Sequence, residues 1–198
     1  MFVITADQRA SRTNRDLVPA ALADVDRLAG SRLAAPAERT VGDEIQLATT
    51  DADAALQIAL HLVRAQEWSV GVGAGAIEAP LSTHVREGRG DAFLHARTAV
   101  ERAKKSQQRL AVEADDRVAG GDAEALIRLL IELRDRRTPQ GWEVADLLSR
   151  GMTQKRAATV LGITPTAVSL RANAAGLRTD EAAIPALGRV LARLDGGA

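Results

Sequence analysis

The sequence predicts an α+β protein, with a sheet and helices in the first part of the chain and helices alone in the second. Before Gly120-Gly121, short apolar strand patterns alternate with helical patterns. After these glycines no strand pattern occurs, and apolar residues recur at helical spacing to the end. A chain of 198 residues is long enough for two small domains. We therefore expect one domain at residues 1–117 and another at 122–198.

The first domain is predicted to alternate strands with helices. Residues 2–5 form an apolar strand, and apolar residues from Leu17 to Leu28 then follow helical spacing up to Gly30. A Gly-Asp pair within residues 41–45 joins two short strands, which is typical of a hairpin. The remaining predicted elements are a helix at 51–65, a strand at 68–77, a loop at 80–90, a helix at 91–105 and a strand at 109–113. This order predicts helices on one face of a largely antiparallel sheet.

The strand predicted at residues 68–77 has glycine at every second position. Gly71, Gly73 and Gly75 therefore share one face, where a backbone, a helix or a ligand can approach closely. The run lacks the third glycine and the strand-to-helix placement of a dinucleotide fingerprint, so it does not indicate a Rossmann fold.

The second domain is predicted to be entirely helical. A first helix begins at Gly121 or Asp122, and Thr138-Pro139 begins another. Two short helices follow, and a last amphipathic stripe ends the chain. The stripe consists of Ile184, Leu187, Val190, Leu191 and Leu194. It either covers the core of this domain or pairs with a second subunit as a homodimer.

Residues 152–173 have the pattern of a helix-turn-helix. Ala158 is a small residue four positions before Gly162, and Val168 follows six positions after it. Closely packed helices need a small side chain where they meet, and the turn needs a residue that tolerates a left-handed backbone. Thr153 is predicted to cap the first helix, and Thr164, followed by proline, the second.

The charges around this motif favour double-stranded DNA as the partner. Five cations and no carboxylates lie between Arg150 and Arg178, in a chain with no net charge. Phosphate contacts are expected from the cations and base contacts from the polar side chains of the second helix, with Val168 and Leu170 supplying apolar contacts. The candidate DNA-binding residues are Thr153, Lys155, Arg156, Thr164, Thr166, Ser169, Arg171 and Asn173. Two alternatives are a plain helical hairpin in the core and a module that docks a protein such as RNA polymerase.

Composition excludes several other classes of function. The absence of cysteine excludes disulfides and thiolate metal sites, and the three histidines are scattered. No stretch reaches the roughly 20 apolar residues of a membrane span, and the N-terminus lacks the basic flank of a signal peptide. Aromatic residues make up 2% of the chain, which disfavours binding by base stacking. We expect a cytoplasmic protein without a membrane partner.

Two carboxylates of the first domain are candidate metal ligands. Asp7 follows the first predicted strand, and Asp43 lies in the predicted hairpin turn. If these strands are neighbours, both side chains lie at one end of the sheet. Mg²⁺ in nucleotide sites is typically held by one or two carboxylates, water and phosphate oxygens.

Three segments of the first domain resemble the SatD family. They are Ile4-Thr-Ala-Asp-Gln-Arg-Ala-Ser-Arg12, Gly42-Asp-Glu-Ile-Gln46 and Gly90-Asp-Ala-Phe-Leu-His-Ala-Arg97. The resemblance covers roughly residues 1–115, and a C-terminal helix-turn-helix fits the layout of that family. More distantly, the same segments are similar to class III nucleotidyl cyclases and diguanylate cyclases. The resemblance implies a ferredoxin-like first domain.

The resemblance also implies a nucleotide site. Asp7 and Asp43 would hold Mg²⁺ on a nucleotide, Arg39 lies near the position of a base-reading lysine, and Arg97 matches an arginine that contacts phosphates in the transition state. Where these cyclases have an asparagine, this chain has Phe93, which makes no hydrogen bond. A nucleotide or cyclic nucleotide bound without turnover is therefore expected. The alternatives are an inert scaffold and a metal-dependent cyclase whose helices serve as a dimerisation tail.

Overall fold

A computed structural model describes residues 1–195, which contain a five-stranded sheet and eight α-helices. The strands are β1 (Phe2–Gln8), β2 (Leu33–Arg39), β3 (Glu44–Thr49), β4 (Trp68–Ala74) and β5 (Leu110–Glu113). The helices are α1 (Val18–Ala29), α2 (Ala52–Arg64), α3 (Asp91–Ala103), α4 (Arg117–Asp135), α5 (Pro139–Ser149), α6 (Gln154–Leu161), α7 (Pro165–Ala174) and α8 (Leu177–Ala192). This is the predicted α+β class.

The sheet has the strand order β2-β3-β1-β4-β5. Its neighbours are antiparallel except for β4 and β5, which are parallel. The central strand β1 is apolar on both sides, and Val3 and Ile4 are fully buried on alternate faces. A strand buried on both faces requires cover on both sides of the sheet.

The glycine-lined face of β4 is covered by α3. A Cβ atom at Gly73 would overlap the carbonyl oxygen of Ala92, and one at Gly71 would overlap the backbone nitrogen of Val100. The predicted close approach is confirmed, and the approaching element is a helix of the same chain.

The expectation that all helices lie on one face is wrong. Ala96 of α3 packs with Val3 and Ala48 on the glycine-lined face. Because side chains alternate along a strand, Ile4 and Leu47 point to the opposite face, where α1 and α2 contact the sheet. Without side chains on its glycines, β4 leaves room for the additional helix.

Side chains of α4 cover the exposed edge of the sheet at β5. The buried carboxylate of Glu124 accepts a hydrogen bond from the backbone N–H of Val112 at 2.8 Å. Arg128 donates two hydrogen bonds to the carbonyl oxygen of Leu110, at 3.0 and 2.7 Å. An unpaired strand edge can recruit another strand, and these contacts block that pairing.

The predicted domain boundary near Gly120 falls within α4 and does not separate two compact units. Gly120 and Gly121 lie within this helix, because the Asp116 side chain accepts hydrogen bonds from the N–H groups of Val118 and Ala119 and starts the helix before the glycines. The compact units are unit 1, residues 1–128 with 186–195, and unit 2, residues 129–185.

The last apolar stripe belongs to unit 1 except for its first residue, Ile184, which lies in unit 2. Leu187, Leu191 and Leu194 are buried, and residues 186–195 group with the sheet. In the same unit, Asp195 forms an ion pair with the amino group of Met1. The C-terminal part of α8 therefore packs within unit 1. The sequence had predicted that it covers the core of the second domain or pairs with a second subunit.

Candidate nucleic-acid interface and candidate ligand cleft

In unit 2, helices α6 and α7 are joined by a turn of three residues. Gly162 adopts the left-handed conformation, with φ 64° and ψ 31°. The following N–H of Ile163 donates to the carbonyl oxygen of Ala158 at 3.0 Å. This bond closes the end of α6 and redirects the chain into α7.

Both predicted threonine caps are formed. The hydroxyl of Thr153 accepts a hydrogen bond from the N–H of Arg156 at 3.2 Å, and that of Thr164 accepts one from the N–H of Ala167 at 3.1 Å. Each hydroxyl retains its own proton and can still donate. Both threonines are exposed.

The inner sides of α6 and α7 pack against α5. Ala158 and Val168, the two predicted contact residues, are buried in one apolar cluster with Val144 of α5 and Ala172 of α7. Three short helices thus share a core, which fixes the orientation of the outer side of α7.

The outer side of α7 is mainly polar. Successive residues of an α-helix are rotated by about 100°, so Thr166, Leu170 and Asn173 lie opposite the buried Val168. All three are exposed, and Ser169 beside them is half-buried. Two of the three predicted base-reading side chains, Thr166 and Asn173, therefore point away from the core, and Ser169 lies at the flank of the helix.

Leu170, for which the sequence predicts an apolar contact, lies on the same outer side as Thr166 and Asn173. Its exposed fraction is 64%. The spacing accounts for this position, since two positions along a helix rotate a side chain by about 200° away from Val168.

Three predicted phosphate-contacting cations differ in their surroundings. Lys155 and Arg156 are exposed on α6. Arg171 is half-buried, and its Nη1 lies 3.7 Å from an Oε2 of Glu143 on α5. An exposed pair at this distance is weak, so Arg171 can exchange the carboxylate for another anion.

Two other arginines of unit 2 are used by the fold. Arg134 forms a two-bond ion pair with Asp180, with distances of 2.8 and 3.2 Å. Arg137 is buried, donates to the carbonyl oxygen of Ala175 at 2.7 Å, and stacks over the Trp142 ring at 4.7 Å. These cations connect α4, α5, α7 and α8 within the unit.

In unit 1, the two predicted metal-ligand carboxylates lie at the same end of the sheet. Asp7 is within β1, which extends further than expected, and its partner across the sheet is Glu44 of β3. Asp43 is in the turn before β3, and its carbonyl oxygen accepts a hydrogen bond from the N–H of Gln8 at 3.0 Å. The neighbouring strands assumed from the sequence are present.

The carboxylate of Asp7 is paired with a lysine. Lys104 Nζ lies 3.0 Å from an oxygen of Asp7 and 2.8 Å from one of Glu101. Burial lowers the pKa of Lys104, but hydrogen bonds to these two carboxylates outweigh it and raise the pKa above its usual value. Residues 1–195 contain no group of three or more acidic or histidine side chains placed to hold a metal.

Arg39 is also held by the fold. It donates to the carbonyl oxygen of Gly42 at 2.9 Å and forms an ion pair with Asp16. The hydrogen bond that Arg39 donates to the Asp16 carboxylate is the main reason that the pKa of Asp16 is below its usual value. Arg39 thus ties the β2–β3 turn to the segment that precedes α1.

A cleft of about 990 Å³ opens on the α3 side of the sheet. Arg97 lines it, together with Thr5 and Glu44 from the strands and Arg86 and Arg89 from the loop before α3. Among the described residues, its lining does not include the other three predicted ligand residues, Asp7, Arg39 and Asp43.

Phe93 has a packing role at the same cleft. It is buried, and a Cβ atom at Gly88 would overlap its ring. The ring thus fills the space beneath the loop where the resemblance would place an amide donor.

Comparisons with protein-family models, with curated proteins and with solved structures gave no match. Within residues 1–195, no helix combines the length and apolar character needed to cross a membrane. The geometry of α6 and α7 and the cleft of unit 1 are therefore the features from which a function can be inferred.

Proposed function

We propose that this chain is a sequence-specific DNA-binding transcriptional regulator that acts in the cytoplasm, with α6 and α7 as its helix-turn-helix. The observation that carries the proposal is the outer side of α7, where Thr166 and Asn173 face away from the core and the half-buried Ser169 lies at the flank. A helical hairpin that served only the core would also have a polar outer side, but it would not need the adjoining segment of cations without carboxylates.

In this proposal α7 enters the major groove. An α-helix with its side chains is about 10–12 Å wide, and the groove is about 12 Å wide. Asn173 can make two hydrogen bonds to an adenine edge, and the hydroxyls of Thr166 and Ser169 can reach either bases or phosphates.

Phosphates would be bound by the residues around the turn. Lys155 and Arg156 are exposed at the start of α6, and the capping hydroxyls of Thr153 and Thr164 can donate to phosphate oxygens. Arg171 would exchange Glu143 for a phosphate. A homodimer would place two such helices on two half-sites.

For unit 1 we propose a ferredoxin-like, cyclase-related domain of the SatD type that binds an anionic, nucleotide-type ligand or mediates assembly. Its βαββαβ connectivity and the order β2-β3-β1-β4 support the fold assignment. Arg86, Arg89 and Arg97 can bind an anionic ligand, although the lining of the cleft also carries the carboxylates of Glu44, Glu78, Glu87 and Asp91. Any Mg²⁺ would arrive with the phosphates of that ligand, because Asp7 is already paired with Lys104.

The cyclase alternative receives less support from the side chains. Phe93 supplies no hydrogen bond to a transition state, and losing one such donor typically costs about 2.7–4 kcal/mol. Product formed from ATP or GTP with Mg²⁺, and lost in Asp43→Asn, would establish that alternative.

The decisive experiment is selection of genomic DNA fragments by the full chain, with and without ATP or GTP. We expect enrichment of a common sequence, and a change in its affinity when the cleft ligand is present. If no sequence is enriched but a protein such as RNA polymerase is retained, the helices form a protein-docking module instead.

A charge variant tests the interface on the selected site. Lys155→Ala with Arg156→Ala should weaken binding to all sequences and reduce the slope of log affinity against log salt by about 1.8. The control, Lys105→Ala with Arg117→Ala, removes two exposed cations of unit 1 and should leave the slope unchanged. An equal loss of DNA affinity in both variants would show that α6 does not contact DNA.

A further inference from the structure

Leu170 is a large apolar side chain at the centre of an otherwise polar surface. It is four residues after Thr166 and three before Asn173, so the three side chains form one stripe along the outer side of α7. Single exposed leucines are common on protein surfaces and need no explanation. The position of this one, between two proposed base-reading residues, is what distinguishes it.

The packing of α7 leaves Leu170 without a role in its own core. Val168 and Ala172 fill the interior, and 64% of Leu170 is exposed. An isolated alanine or a polar residue would serve helix stability and solubility at least as well. A leucine here makes sense if the surface meets a partner that combines polar groups with a small apolar group.

We propose that Leu170 is a specificity-determining residue that contacts the 5-methyl group of a thymine. This inference rests on the proposed DNA-binding function. In the major groove, thymine is the base that presents a methyl group, and apolar side chains recognise it. The neighbouring hydrogen-bonding side chains would then read polar base edges on either side.

The spacing also limits where the thymine lies. Leu170 and Asn173 are about 4.5 Å apart along the helix axis, and successive base pairs are about 3.4 Å apart. The thymine should therefore lie within two base pairs of the base that Asn173 reads. If Asn173 reads adenine, the two contacts together favour an A·T-rich centre in each half-site.

The test replaces each thymine of the selected site in turn by 2′-deoxyuridine, which removes only the methyl group. With the unmodified protein, one position in each half-site should lose about fourfold in affinity, the value expected for one buried methylene-sized group. With Leu170→Ala, the same replacement should have no effect. Leu170→Met retains an apolar side chain and should preserve the discrimination.

Val160→Ala is the matched control, because Val160 is also an exposed apolar residue of unit 2, on α6, with an exposed fraction of 53%. It should discriminate thymine from uracil as the unmodified protein does. If a site is selected but no uracil replacement has an effect that depends on Leu170, this inference is overturned and the proposed DNA binding is not. A change of oligomeric state in Leu170→Ala, with discrimination intact, would assign the residue to a protein contact. A selection that recovers no site overturns the proposed function and this inference together.

Discussion

Predicted binding residues occur at the sheet end of unit 1 and on the outer side of α6 and α7 in unit 2. In the first region they are paired with other side chains, and in the second they are mainly exposed. Asp7 is paired with Lys104, and Arg39 is bound to Asp16 and to the turn. On the helices, Lys155 and Asn173 are exposed, and within residues 1–195 the side chain of neither residue forms an ion pair or a hydrogen bond.

This difference shows that residue type and spacing identify a potential site but not its availability. Carboxylates at the end of a sheet can serve a ligand or a neighbouring lysine equally well. Exposed side chains on a helix whose opposite side is packed have no competing partner. The polar surface of α7 is therefore the stronger basis for function.

The largest expected effect is a loss of stability when a carboxylate that pairs with two arginines of the fold is removed. Asp180→Ala leaves the buried Arg137 and the neighbouring Arg134 without their carboxylate. Breaking a buried pair in this way costs about 3–5 kcal/mol of unfolding free energy, measured by denaturant titration. Glu181→Ala removes the adjacent exposed carboxylate and should cost almost nothing. Equal losses would show that Asp180 is not a structural partner.

The next effect concerns an available side chain. Asn173→Ala should weaken binding to the selected DNA site by about 1–3 kcal/mol and relax specificity at one base pair, while unfolding stability stays the same. Titration of single-base variants of the site measures this. Thr179→Ala, at an exposed position of α8, is the control. A uniform loss at every base variant would indicate a phosphate contact instead.

A smaller effect tests whether Lys104 withholds Asp7 from metals. Lys104→Met frees the carboxylate, and Mn²⁺ should then bind up to about fivefold more tightly, the equivalent of a pair worth about 1 kcal/mol. Paramagnetic broadening of nearby resonances reports the binding. Lys105→Met alters the adjacent exposed lysine and should leave Mn²⁺ affinity unchanged. Identical affinities in both variants would mean that the pair does not compete with a metal.

The smallest effect is the titration of Asp16. Arg39 lowers the pKa of this carboxyl in the folded protein, so its ionised form contributes stability above the unfolded value of about 3.9, and this contribution is lost as pH falls through the folded pKa. In Arg39→Ala the pKa should rise toward about 3.9, as followed by carboxyl NMR. Arg15→Ala, which alters an arginine next to Asp16 in sequence, should leave the pKa of Asp16 unchanged. An unchanged pKa in Arg39→Ala would contradict the pairing.

Much of the fold could be predicted because local patterns determined it. The alternating glycines of β4, the Asp43 turn and the threonine caps of α6 and α7 each depend on a few neighbouring residues. The class and the approximate elements follow from such signals.

Two errors had different causes. Gly120-Gly121 indicated a linker, but a local cap at Asp116 starts the helix before the glycines, and Glu124 connects the helix to β5. The spacing of Leu187 and Leu191 shows an apolar stripe without showing which unit it covers, because its partners are distant along the chain.

The candidate site was predictable to a similar extent. The motif correctly places Thr166 and Asn173 on an outer side, because helical geometry requires it. It could not show that Lys104, at the end of a helix predicted for other reasons, would reach Asp7.

The return of residues 186–195 to unit 1 makes that unit discontinuous in sequence, whereas unit 2 is continuous. The sheet is synthesised first, but Leu187, Leu191 and Leu194 are added to its unit only after unit 2 has been made. Although domains usually fold from the N-terminus onward during translation, unit 1 of this chain cannot be completed before residues 129–185 have been synthesised.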